Sequence, residues 1–171
     1  MSANDWRFVD GQYEGVSWAQ HRAAPKGVRA AVRAMEGNPV SNRIPPGHLA
    51  IKRAYEPAAA DDGARVLIDR LWPRGVRKEV LALTEWAKPL SPSNELRHWF
   101  NHEPARWDEF RRRYAAELHA QPEALAAFAA LQALARKGRV TLVYSSREPD
   151  INNAVALRAL LLEPGSMEGL S

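Results

Sequence analysis

The stretch Asp69 to Gly75, DRLWPRG, concentrates reactive and recognising groups in one short run. Arg70 and Arg74 bracket a rigid Trp72–Pro73 pair. Arginine presents a planar fork of donors that suits phosphate or carboxylate, and a tryptophan face can stack a ring or base. Gly75 permits a positive φ or a close backbone approach. Lys88, two residues after Trp86, could add a further cation. A structural alternative uses the same residues: Asp69 pairs with an arginine, while Trp72 and Pro73 cover the core. Both readings stand at this level.

A second polar run, SSREPDINN, spans Ser145 to Asn153. Ser145, Ser146 and Asn153 offer donors beside Arg147. A loop that leads into a helix also points free N–H groups outward, which favours anions. The alternative is ordinary capping of that helix by Asp150. The run has no glycine and is neither a Walker nor a dinucleotide fingerprint.

Other constellations are weaker. His98 and His102 have i,i+4 spacing, and Glu103 and Glu109 could complete a metal site. However, the helix should break between Phe100 and Pro104, no HExxH pattern occurs, and no metal is expected. His102 and Asp69 remain the candidates for acid–base chemistry, because histidine titrates near neutrality. Arg111, Arg112 and Arg113 look like a nucleic-acid patch. Consecutive helical residues lie about 100° apart, so these splay, and Asp108, Glu109 and Glu117 can pair with them. Serine-hydrolase chemistry lacks its nucleophile elbow.

The elements that must position these groups can be read from periodicity. Leu49–Tyr55 and Arg65–Leu71 read as strands. The roughly ten-residue gap between them is marginal for a parallel crossover, which favours antiparallel pairing. Ser91 and Pro92 are expected to open a helix that ends near Asn101. A helix after Pro104 buries Trp107, Phe110, Tyr114 and Leu118. The next, after Pro122, buries Leu125, Phe128, Leu131 and Leu134 and stops at Gly138. Arg139–Tyr144 reads as a strand covered on both faces, and a last helix runs from about Ile151 to Leu162. The expected fold is α/β: a small three-layer domain with a short, mainly parallel or mixed sheet flanked by helices. Ligands in such sheets bind beyond the carboxyl ends of the strands, which selects the loops starting at Asp69 and Ser145.

The chain has 171 residues, 46% hydrophobic and 26% charged, which excludes wholesale disorder. It has no cysteine, so disulfides, thiolate nucleophiles and iron–sulfur sites are excluded. The net charge of +4 rests mostly on arginine and is dispersed, without a polyanion-binding tail. Residues 1–47 read as an extension or arm, with one helical turn or two at Gly27–Met35 and a proline-rich linker at Ser41–His48. Residues 48–163 form the α/β domain, and 164–171 a short tail. Translation beginning at Met35 is an open alternative. No secretory leader or membrane span is apparent, so the expected setting is cytoplasmic.

The runs LIDRLWPRG, WAKPLSPSNELRHWFNHEPARWDEFRRRYAAEL and LVYSSREPDINNA together resemble the YeaO-like branch of the DUF488 family, over roughly His48 to Glu163. The resemblance implies one small α/β domain. It supplies no catalytic role for any matched position, among them Asp69, Arg70, Trp72, Pro73, Arg74, Gly75, Trp86, Lys88, Ser93, Leu96, Arg97, Phe100 and Asn153.

Three functional classes follow. In the first, Arg70, Trp72, Arg74, Gly75 and Lys88, with Ser145, Ser146 and Asn153, hold a phosphorylated or nucleotide-like small anion. The second is a protein-interaction module whose Trp and Arg residues form a hot spot. The third is a DNA-binding regulator, although the helices spend their periodic positions on burial. No cofactor is specified, and neither turnover nor oligomeric state is determined.

Overall fold

The computed structural model describes residues 7–9, 12–14 and 43–163. The chain separates into two units, residues 1–37 and 38–171. In the first, β1 (Arg7–Val9) and β2 (Gln12–Glu14) form an antiparallel pair. The turn expected at Gly27–Met35 and the tail at 164–171 lie outside the described residues.

The second unit is built on a four-stranded parallel sheet. Its strands are β3 (Leu49–Arg53), β4 (Ala64–Leu67), β5 (Glu85–Trp86) and β6 (Val140–Tyr144), in the order β3-β6-β4-β5. Every residue of β6 is buried. That is why VTLVY is an almost unbroken β-prone run rather than an alternating one. Leu142 pairs with Ile51 on one side and Val66 on the other, so β6 anchors the register of both neighbours.

The antiparallel pairing expected for the first two domain strands is incorrect. They are not neighbours, because β6 lies between them and runs parallel to each. The spacing argument counted only the shortest crossover. Ten extended residues reach roughly 33 Å, ample to return along a five-residue strand of about 17 Å. The returning chain makes one 3-10 turn, Ala60–Asp62, before β4. Strand β5 also escaped the sequence reading. It is two residues long, with no apolar run to announce it.

The described residues of the unit also form five α-helices: α1 (Lys78–Leu81), α2 (Asn94–Phe100), α3 (Trp107–Ala120), α4 (Pro122–Lys137) and α5 (Asn153–Leu162). The expected α/β architecture, a parallel sheet flanked by helices, is therefore present. One sheet face carries Val66, Ile68, Val140 and Leu142, packed in a single core with side chains of α2 to α5. The other carries Leu67 and Val143 against Leu81 of α1, with Trp72 and Trp86 alongside.

Local signals needed three adjustments. Ser93, not Ser91, caps α2, since its Oγ accepts from the Leu96 N–H at 3.0 Å. Ser91 instead donates to the Lys88 carbonyl. Helix α3 buries Phe110, Tyr114 and Leu118 as its period requires, with Trp107 half-buried. In α4 the buried stripe is Ala124, Phe128, Leu131 and Ala135, while Leu125 is exposed. Both stripes satisfy a 3.6 period. The alanine-lined one faces inward, a choice that periodicity cannot make.

Candidate functional site

The site follows from how the chain leaves the sheet. After β4 it passes to the face covered by α1, and after β6 it passes to the face covered by α5. Adjacent parallel strands whose onward connections diverge to opposite faces leave a crevice beyond their carboxyl ends. The DRLWPRG and SSREPDINN loops form its two sides. A cleft of about 860 Å³ opens there. That volume lies within the range of small-molecule sites.

Asp69 joins the two sides. Its Oδ2 accepts from the Ser145 backbone N–H at 2.9 Å and from Ser145 Oγ, and its Oδ1 accepts from Asn153 Nδ2 at 3.0 Å. One carboxylate thus ties the end of β4 to the end of β6 and the start of α5. Among the described residues it pairs with no arginine, contrary to the structural alternative raised from sequence. Helix α5 is capped by Asn152, whose Oδ1 accepts from the Val155 N–H at 3.0 Å. Asp150 is exposed and does not serve as the cap.

Arg70 and Arg74 line the cleft, joined by Arg97 from α2 and Arg147 from the second loop. All four are exposed, and none has an ion pair among the described residues. The cleft's carboxylates are Asp69, committed as described, and Glu148. Ser145, Ser146 and Asn153 also line it. The floor is apolar, where Phe100 and Phe110 stack with centroids 4.2 Å apart. Beneath them Tyr114 donates to the Leu90 carbonyl. Burial, aided by the charges of Asp69 and Glu117, pushes its hydroxyl far above the usual phenol range, so it remains a neutral donor.

Other sequence candidates occupy different settings. Trp72 borders the cleft, but its indole N–H donates to the Val76 carbonyl at 2.7 Å and its ring meets Trp86 edge-on at 5.4 Å. It is mainly a packing element of the loop. Lys88 sits on the Trp86 ring, its ammonium 4.0 Å from the centroid, and is not among the cleft residues. Gly75 is also outside the lining. Its φ of +78° makes the turn, and nothing lies within 4 Å of where a Cβ would stand, so positive φ rather than close approach explains the glycine.

His98 and His102 both face the cleft. His102 Nδ1 lies 3.2 Å from the Ile151 carbonyl, which bridges the end of α2 to the second loop. Asn101 and His102 both have positive φ, so the helix breaks where Pro104 led one to expect. No cluster suited to a metal ion occurs among the described residues. On α3, Arg111 reaches Asp108 at 4.0 Å, and Arg112 and Arg113 both pair with Glu109. The run behaves as a charge-paired helix surface. No described helix is long and apolar enough to cross a membrane.

Sequence reasoning missed Tyr55 and gave Arg97 no role, although both line the cleft. The rule that selected the other two loops also applies to the end of β3, where Tyr55 lies. Arg97 adjoins the His98 that spacing had already singled out.

Comparison with known proteins gives the family. Residues 48–169 match the family described as the inactive DUF488-N3 subclade. The chain belongs to the DUF488 family. It is similar to the uncharacterised protein YeaO of Escherichia coli, at 44% identity over 110 residues, 64% of this chain and 93% of that one. The uncharacterised protein Rv3073c of Mycobacterium tuberculosis is 43% identical over 111 residues, 65% of this chain and 91% of its own. No solved structure matches. The matched region of this DUF488 protein includes both loops of the cleft.

Proposed function

We propose that this DUF488 protein binds a small phosphorylated or nucleotide-like anion in the cleft at the carboxyl ends of β4 and β6. The observation that carries the reading is the charge of the lining: four guanidiniums stand open to solvent, while the half-buried carboxylate of Asp69 is held by Ser145 and Asn153. Unpaired arginines around a concave site are suited to bidentate capture of phosphate or carboxylate. Ser146 and the loop before α5 supply neutral donors at the same place.

The proposal is binding without turnover. Asp69 acts as a clamp whose oxygens are engaged, and the subclade's description as inactive fits that role. A cytoplasmic setting belongs to the same proposal.

The test is a thermal-shift panel of nucleotides, sugar phosphates and short duplex DNA on wild type, Arg70→Ala and Arg74→Ala. A ligand at a hundred times its Kd adds about 2.7 kcal/mol, or roughly 5–10 °C for a domain of this size. A small anion should produce that shift in wild type and lose it in variants that still fold. A panel without any shift would refute the proposal. A shift by duplex DNA alone, steeply reduced by salt, would replace it with the nucleic-acid reading.

A further inference from the structure

Two observations bear on what else the ligand must carry. The first is size. An orthophosphate occupies only a few water volumes, at about 30 Å³ per water, and would leave most of the cleft, about 860 Å³, unfilled. The second is an exposed apolar margin. Leu71 is 66% exposed and Tyr55 51% exposed, with Val80 the most exposed large hydrophobic residues among the described ones, and Leu71 and Tyr55 both line this cleft.

Tyr55 is exposed but held in place. Its hydroxyl donates to the Arg74 carbonyl at 3.2 Å, which ties the ring to the arginine loop. The Arg53 guanidinium stands 5.0 Å from its ring centroid, and Arg53 in turn reaches the Ser145 carbonyl. One ring face is thus backed by a cation and the rim is anchored, while the residue lines the cleft and remains exposed. Trp72, the aromatic that sequence suggested for stacking, is committed to Val76 and Trp86. An immobilised aromatic ring with one open face costs little entropy when a flat ligand stacks on it.

We infer that Tyr55, with Leu71 beside it, is a stacking platform, and that the ligand is a nucleoside monophosphate: a phosphate for the arginines joined to a planar base. This rests on the anion-binding reading and deepens it. The base lies on the Tyr55 face and the phosphate reaches the arginine-lined part of the cleft. Base–aromatic stacking tolerates different bases, so discrimination is set between ring and no ring rather than among bases.

Calorimetric titration of adenosine 5′-monophosphate against ribose 5-phosphate separates the two readings. Wild type should bind the nucleotide about tenfold more tightly or better, the range expected for one stacked base. Tyr55→Ala should abolish that preference while leaving ribose 5-phosphate affinity unchanged, and Tyr55→Phe should keep it. Equal affinity of both probes for wild type, or an undiminished preference in Tyr55→Ala, would overturn the platform and leave the anion site standing. Failure of both probes to bind would remove the anion site and the platform with it.

Discussion

Two groups of charged residues flank β4, and they are handled in opposite ways. Just before the strand, Asp62 is buried and takes hydrogen bonds from Lys52, at 3.1 Å, from buried Arg65, and from the Ala59 N–H. Arg65 also donates to the Leu81 carbonyl, and Thr141 donates to the Asp62 carbonyl. Beyond the strand, Arg70 and Arg74 are exposed and without ion pairs among the described residues. The first group finds its ion pairs inside the fold, since a buried charge must be paired, although Arg65 Nη2 is left without a hydrogen-bond partner. The second is left for something outside the chain to satisfy. Residue type alone does not distinguish them, because arginine serves in both. What separates a structural charge from a recognition charge here is whether its partner belongs to the fold.

The comparison is broken most severely at Arg65. Arg65→Ala takes from Asp62 its buried cationic partner, leaving Lys52 and the Ala59 N–H, and should cost about 3–5 kcal/mol, measured by denaturant unfolding. Next is Gly63, whose φ of +66° and position leave an added Cβ 2.0 Å from the Arg139 carbonyl oxygen. That oxygen accepts from the Ala64 N–H and starts the β4–β6 ladder. Gly63→Ala should therefore destabilise by roughly 3 kcal/mol in the same measurement.

Acid titration sharpens the same contrast. Burial alone would raise the Asp62 carboxyl, but the donors from Ala59, Lys52 and Arg65, with the charge of Lys52, hold it below its ordinary value of 3.8. A depressed carboxyl stabilises the fold fully above its unfolded value. That stability is lost as pH falls below about 3.8 through the folded value. In Asp62→Asn, whose neutral amide does not titrate, this component of acid unfolding should vanish. An unchanged acid-unfolding profile would show that other groups govern it.

At the other end the effects shrink. Asp69→Ala removes three hydrogen bonds between the strand ends and should cost about 2–3 kcal/mol. Arg74→Ala or Arg147→Ala should change stability by no more than about 0.5 kcal/mol, the usual range for surface substitutions. A large loss in either would show that these arginines support the fold after all.

Much of this was legible in the chain. Continuous β-prone residues identified β6, and the spacing of Phe110, Tyr114 and Leu118 identified the face that α3 buries. The carboxyl-end rule then selected both loops that border the cleft. Local signals failed where two solutions satisfied the same pattern. Leu125 and Ala124 both begin a 3.6-period stripe, and Ser91 and Ser93 can both cap a helix, but only packing chose between them.

By itself the sequence determined the types of the longer elements, the family and the two polar loops, because periodicity and turn chemistry act over a few residues. Only the tertiary structure decided that β6 enters between β3 and β4, bringing Asp69 onto Ser145 across 76 residues of chain. It likewise set Tyr55 beside Arg74. Those neighbours follow from strand order, which is settled by burying both sheet faces at once, and no local window of residues records that global condition.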